Sequence, residues 1–185
     1  MEFYQTEETN ILRRVTNWIV DIVVVLALAW FTIYSFGMQI EIAGQSMSPL
    51  LNSEDVVLVN RFTYHFAEPQ RMDIVVFERE DKKANVKRII GLPGEEIQII
   101  KGVIYIDKLP LEATGGLELV DLAGVAENPV KLGEDEYFLL GDNRNSSEDS
   151  RFVNIGNVKK DQLIGKVWLK LLPLIEVELI KSESQ

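Results

Sequence analysis

The sequence predicts an all-β domain, an irregular antiparallel sandwich or barrel, behind one N-terminal transmembrane helix. Three observations carry that prediction. Nineteen uncharged residues run from Ile22 to Ile40. Beyond residue 41 the apolar residues alternate or fall in short runs rich in Val, Ile, Leu and Tyr, as strands require. Turn-forming residues then punctuate those runs at short intervals.

The apolar run has the length to span a hydrocarbon core of ~30 Å at ~1.5 Å per residue. Trp18, Trp30 and Tyr34 add aromatic groups. A buried core helix and a cleaved secretory signal are the rival readings. A signal's apolar stretch is only ~7–15 residues and ends at an A-x-A-like site. Here the run is longer and is followed by Ile42-Ala43-Gly44 without that pattern. A retained anchor over residues 18–40 is therefore expected, after a polar tail over residues 1–17. Arg13 and Arg14 precede the anchor, whereas the first basic residue after it is Arg61. Positive charge stays inside, which predicts a single-pass cell-membrane protein with its N-terminus in the cytoplasm and residues 41–185 outside.

Strands are predicted at residues 55–60, 73–78, 86–90, 96–100, 103–106, 137–140 and 165–172. Turns are expected at Leu92-Pro93-Gly94, Lys101-Gly102, Asp107 to Pro110, Gly115-Gly116 and Asn128-Pro129. Residues 107–133, dominated by Gly, Pro, Asn and acids, read as a surface excursion. After the anchor only Lys159–Leu163 suggests a helical turn.

Composition excludes several functions. The net charge of −10 over 185 residues repels nucleic acid. Without cysteine there are no disulfides and no thiolate metal sites. One histidine, His65, rules out a multi-histidine metal site. Neither a cofactor nor a metal is expected.

Three polar islands interrupt the strands. The first is Gly44-Gln45-Ser46-Met47-Ser48-Pro49. The second is Val86-Lys87-Arg88, leading into Ile89-Ile90-Gly91-Leu92-Pro93-Gly94-Glu95. The third runs from Gly141 to Arg151. Singly, each has an ordinary reading as a turn, a solvated strand face or a salt-bridged loop. Calcium binding by Asp142, Asn143, Glu148 and Asp149 is disfavoured by the interleaved Arg144 and Arg151.

Together with Arg71-Met72-Asp73-Ile74-Val75-Val76-Phe77, the islands resemble the bacterial type I signal peptidases. The order of the blocks behind an anchor makes the match specific. The resemblance implies a serine endopeptidase with Ser46 as nucleophile and Lys87 as general base. An amine serves as base only when neutral, which asks for a pKa of ~7–8 against a free value of ~10.4. Three units correspond to roughly 4 kcal/mol, which burial beside apolar neighbours supplies. The resemblance further implies that Ser147 orients the lysine amine, that Asp142 pairs with Arg88, and that Asp149 pairs with Arg151. Plain surface ion pairs remain the alternative for both. Gly44 stands where some members carry a serine whose hydroxyl serves the oxyanion, and Met72 where glycine is frequent.

The implied substrate is a secretory preprotein cleaved after small residues in an A-x-A pattern. An extended peptide fits the strand edges around Ile42–Gly44 and Asn85–Lys87, with shallow pockets built from Ile42, Met47, Leu51 and Val86. Besides preproteins, membrane lipid is the expected partner. Three rivals stay open at this point: a membrane-tethered binding domain, a Ser–Lys self-cleaving regulator, and a Ser–His mechanism using His65.

Overall fold

The computed structural model describes residues 3–79, 82–111, 119–173 and 177–180. Helix α1, Phe3–Phe36, contains an apolar span from Ile11 to Phe36 that is almost wholly uncovered by protein. Two of its hydroxyls are satisfied within the helix: Thr16 and Thr32 donate to the carbonyls of Leu12 and Leu28, each at 2.8 Å. Gly37 ends the helix by donating to the Ile33 carbonyl at 2.8 Å.

The strands are β1 (Met38–Glu41), β2 (Val56–Asn60), β3 (Ile74–Glu78), β4 (Ala84–Gly91), β5 (Glu96–Ile100) and β6 (Val103–Ile106). They continue with β7 (Leu109–Pro110), β8 (Val130–Lys131), β9 (Glu136–Leu140), β10 (Val158–Lys159), β11 (Leu163–Leu172) and β12 (Glu178–Leu179). A short helix α2, Thr63–Phe66, follows β2. The large sheet runs β1-β2-β11-β3-β4-β9-β10, with β12 added to β11; the small sheet runs β7-β6-β5-β8. Every pairing is antiparallel, and bulges interrupt the ladders of β11 and β4. Both sheets are open and irregular, so the all-β class holds behind one apolar N-terminal helix.

The alternating pattern becomes core. Met47, Leu51, Val57, Val59, Ile74, Val76 and Val167 fill one cluster, while Ile90, Ile97, Phe138 and Leu140 fill another beneath the small sheet. Two turns fall where the sequence places them. Lys101-Gly102 and Asp107-Lys108 both take the left-handed backbone that reverses a chain tightly. The Gly115-Gly116 turn lies outside the described residues.

Several details differ from the sequence expectation, beginning with α2, a helix that the apolar pattern does not announce. The helix stops at Phe36, and Met38–Glu41, whose first three residues were expected in the anchor, pairs with β2 as an edge strand. Apolar periodicity over four residues does not separate the end of a helix from a strand. At the other end, Phe3 onward is already helical rather than a separate tail. Residues 107–133 are more than a surface excursion, because Val120, Ala126 and Leu132 enter the core beneath the small sheet.

Met72 adopts φ +70° while its side chain is buried. This is the left-handed region that costs a non-glycine residue roughly 1–2 kcal/mol, which gives a backbone reason for the glycine frequent there in the resembling family. Met72 offsets that strain by filling the core.

Candidate active site

The loop that carries Ser46 is built from its own local chemistry. Gly44, at φ +83°, turns the chain out of the sheet region with no Cβ penalty. Residues 45–51 coil into successive turns, closed by Ser48 N–H to the Gln45 carbonyl at 3.2 Å and Leu51 N–H to the Met47 carbonyl at 2.9 Å. Met47 and Leu51 are wholly buried on either side of the exposed Pro49. Their packing fixes the loop and leaves Ser46 half-buried at its edge.

Lys87 projects from β4, opposite Val75 of β3. It is 3% exposed, and its Nζ donates to Ser46 Oγ at 2.8 Å and to the Val86 carbonyl at 3.1 Å. Burial pulls its pKa down to about 8. Asp149, Glu148 and Asp142 oppose that shift, and Arg79 assists it. A large share of the amine is therefore neutral in mildly alkaline solution.

The third island clamps onto this pair. Asn143 N–H donates to the Ser46 carbonyl at 3.1 Å, joining the island to the backbone of Ser46 itself. Gly141 sits so close that an added Cβ would collide with that carbonyl and with Ser147 Oγ. Asp142 receives Arg88 Nε at 2.7 Å and Nη2 at 2.6 Å, while Arg88 Nη1 donates to the Met72 carbonyl at 3.0 Å. Asp149 receives Arg151 Nε at 2.7 Å and Nη2 at 2.9 Å, and also the Gly141 N–H at 3.1 Å. Arg151 reaches further, to the carbonyls of Arg144 at 2.6 Å and Leu122 at 3.1 Å. Both ion pairs are buried, so they are structural clamps rather than solvated surface bridges.

Ser147 is buried against Gly141, but its Oγ has no hydrogen-bond partner. The bond expected from it to the lysine amine is not formed in this geometry; the amine bonds to the Val86 carbonyl instead. Ile42, Met47, Leu51 and Val86 do gather in one cluster. Met47 and Leu51 are 0% exposed, however, so they form the floor of the region rather than pocket walls. The Ile42 backbone is already paired, donating to Asp55 O and accepting from Glu54 N–H. Gly44 is exposed beside it. His65 is exposed and stacks on Phe62 in a different depression, whose lining does not include Ser46 or Lys87.

Sequence reasoning overlooked three contributors. Gly141 reads as a turn glycine, yet its role is close approach. Arg144 is buried with Nε and Nη1 unpartnered, and desolvation lowers its pKa to about 10. Arg79 bonds Glu148 at 3.0 Å across the island. Neither arginine belongs to a pattern that sequence periodicity detects. Among the described residues no cluster of His, Cys, Asp and Glu suits a metal ion.

The family described as "Signal peptidase, peptidase S26" matches residues 15–172. The chain is similar to a probable signal peptidase I-2 of Synechocystis sp., with 32% identity over 151 residues, covering 78% of this chain and 67% of that one. It is similar to a signal peptidase I of Bacillus caldolyticus, with 32% identity over 171 residues, 84% of this chain and 88% of that one. Signal peptidase I P of Bacillus subtilis subsp. natto is 32% identical over 177 residues, 91% of this chain and 95% of that one. With its apolar N-terminal helix and this breadth of similarity, the chain belongs to the type I signal peptidases of peptidase family S26, membrane-anchored proteases that remove signal peptides.

Proposed function

We propose that the chain cleaves preproteins with Ser46 as nucleophile and Lys87 as both general base and general acid. One observation carries this reading: a buried amine 2.8 Å from a serine hydroxyl. The neutral amine takes the Ser46 proton as Oγ attacks the scissile carbonyl carbon. The resulting ammonium returns that proton to the leaving amine nitrogen, and an acyl-Ser46 remains. Water, deprotonated by Lys87, then releases the new carboxylate. Ser46 N–H donates to the oxyanion. Gly44 supplies no hydroxyl there, and one such donor is worth ~2.7–4 kcal/mol in comparable chemistry.

Asp142, Arg88, Asp149 and Arg151 hold these groups in place, and Ser147 packs against Gly141 beside them. Asn143 N–H on the Ser46 carbonyl is the link through which the ion pairs reach the nucleophile.

The substrate strand lies beside β4, where residues 84–87 pair with β3 on one side while the β9 ladder starts only at Arg88. The opposing edge is Ala43-Gly44, following Ile42, whose backbone groups are taken up by the 54–55 turn. The cluster of Ile42, Met47, Leu51 and Val86 makes a shallow floor, which limits the accepted side chains to small ones such as those of A-x-A. The β-domain works outside the cell membrane with the N-terminus in the cytoplasm. The anchor holds Ser46 near the lipid surface, where the cleavage site of a signal peptide emerges.

The test is cleavage of a preprotein in detergent by the wild-type chain and by Ser46→Ala, Lys87→Ala and His65→Ala. The first two variants are inactive and the third active. Cleavage persisting in Lys87→Ala would remove the proposed base.

A further inference from the structure

A cavity of about 640 Å³ opens where the anchor meets the β-domain. Tyr34 and Ser35 of α1 line it, and so do Arg61, Phe62 and Lys82 of the domain. Its depth is set by the anchor. Phe31, one turn deeper in α1, packs edge-on against Phe62 with centroids 5.2 Å apart. Arg61 lies over the Tyr34 ring at 5.0 Å, and its N–H donates to the Ser35 carbonyl at 3.1 Å. These contacts put the cavity at the last turn of an apolar span, the level at which lipid headgroups lie.

Arg61, Arg79 and Lys82 share the lining with Glu78 and Asp161. Arg79 is paired with Glu148 outside the lining, which leaves Arg61 and Lys82 as its other two cations. Ser35 adds a hydroxyl that is 1% exposed and has no hydrogen-bond partner. A buried orphan hydroxyl beside two cations and an aromatic ring is a receptor for a phosphate oxygen bearing an apolar tail. Two carboxylates in the same lining disfavour a dianion and suit a monoanionic phosphodiester.

We propose that this cavity binds the phosphodiester headgroup of an anionic phospholipid of the bilayer that holds α1. Arg61 and Lys82 neutralise the phosphate, the Ser35 hydroxyl donates to it, and Phe62 lies against the apolar part. Bound lipid ties the anchor's end to the β-domain. The inference rests on α1 being in a membrane but not on the Ser46–Lys87 chemistry.

The full chain in detergent micelles is titrated with dioleoylphosphatidylglycerol, dioleoylphosphatidylcholine or inorganic phosphate, and bound lipid is read by native mass spectrometry. One phosphatidylglycerol is retained in preference to phosphatidylcholine. Lys82→Gln weakens that retention about fivefold and Arg61→Gln at least as much, since each interfacial cation is worth roughly 1 kcal/mol. Lys101→Gln, an exposed lysine on the β5–β6 turn, leaves it unchanged. Lys82 lies outside every helix and strand, which keeps its variant foldable. Equal retention of the two lipids, or full retention by Lys82→Gln, overturns the proposal. Displacement of phosphatidylglycerol by millimolar inorganic phosphate overturns it in favour of a free-anion site. Preprotein cleavage in the same micelles separates this outcome from failure of the catalytic reading, because Lys82→Gln weakens lipid retention and keeps cleavage.

Discussion

Helix α1 and the loop 141–151 break the ordinary rule of inside and outside in opposite directions. In α1, Trp18 and Trp30 are 72% and 75% exposed, with Val and Leu bare around the whole circumference. In the loop, Asp142, Asp149 and Arg151 are almost entirely covered. The difference is one of solvent. An apolar surface is tolerable uncovered when its solvent is hydrocarbon. A charge is tolerable buried when another charge and several hydrogen bonds replace its water. The first solution is written in composition alone. The second needs partners brought from 54 residues away, as Arg88 is to Asp142.

The comparison is broken most forcefully by removing a charge from the loop. Asp149→Ala leaves Arg151 buried without its carboxylate and Gly141 N–H without an acceptor. The expected cost is about 3–5 kcal/mol, measured as a shift in the urea midpoint, with loss of preprotein cleavage. Adding a charge to the helix is the mirror experiment. Leu26→Arg, in the middle of the span, costs about 2.5–3.5 kcal/mol of membrane insertion. It lowers the fraction of protein resisting alkaline extraction, whereas an α1 facing water would be indifferent to it.

Lys87 stands between the two regions as a charge buried without a tight carboxylate partner. Its folded pKa, about 8, lies below the ordinary 10.5. The unfolded chain thus binds the proton more tightly, and the resulting penalty is full below about pH 8 and fades as pH rises through 10.5. Lys87→Met is expected to be inactive yet stabilised by about 1–3 kcal/mol at pH 7, read by thermal or urea denaturation. In the wild type the same pKa predicts that log kcat/KM rises with unit slope on the acid side and levels off above about pH 8. A profile flat from pH 6 to pH 9 would deny the amine its role as base. The smallest effect belongs to a solvated pair. Glu68→Gln removes the partner of Lys160, 2.6 Å away but exposed, and changes stability by at most ~1 kcal/mol. A larger loss there would erase the distinction between buried and surface charges.

Much of the fold was legible because its signals are local. Glu96–Ile100 and Val103–Ile106 are strands over the bounds their alternation sets, and Lys101-Gly102 turns between them. The anchor's C-terminal limit was not legible, since Met38 and Ile40 prolong the uncharged run of the helix before them and only pairing with β2 makes the segment a strand. Ser46 and Lys87 were found by resemblance of motif. Their 41-residue separation is closed by the fold. Ser147 illustrates the limit of such inference, as its buried hydroxyl is left without a partner while the Val86 carbonyl takes the lysine bond.

The sequence by itself determined the apolar helix and the antiparallel β class, because periodicity is a property of short stretches, and the resemblance of its motifs singled out Ser46 and Lys87. Tertiary structure alone decided that the amine is dry, that Gly141 must lack a Cβ, and that two arginine–aspartate pairs are clamps rather than surface bridges. Desolvation and steric approach are relations between distant segments, and no stretch of chain carries them until the sheet has formed.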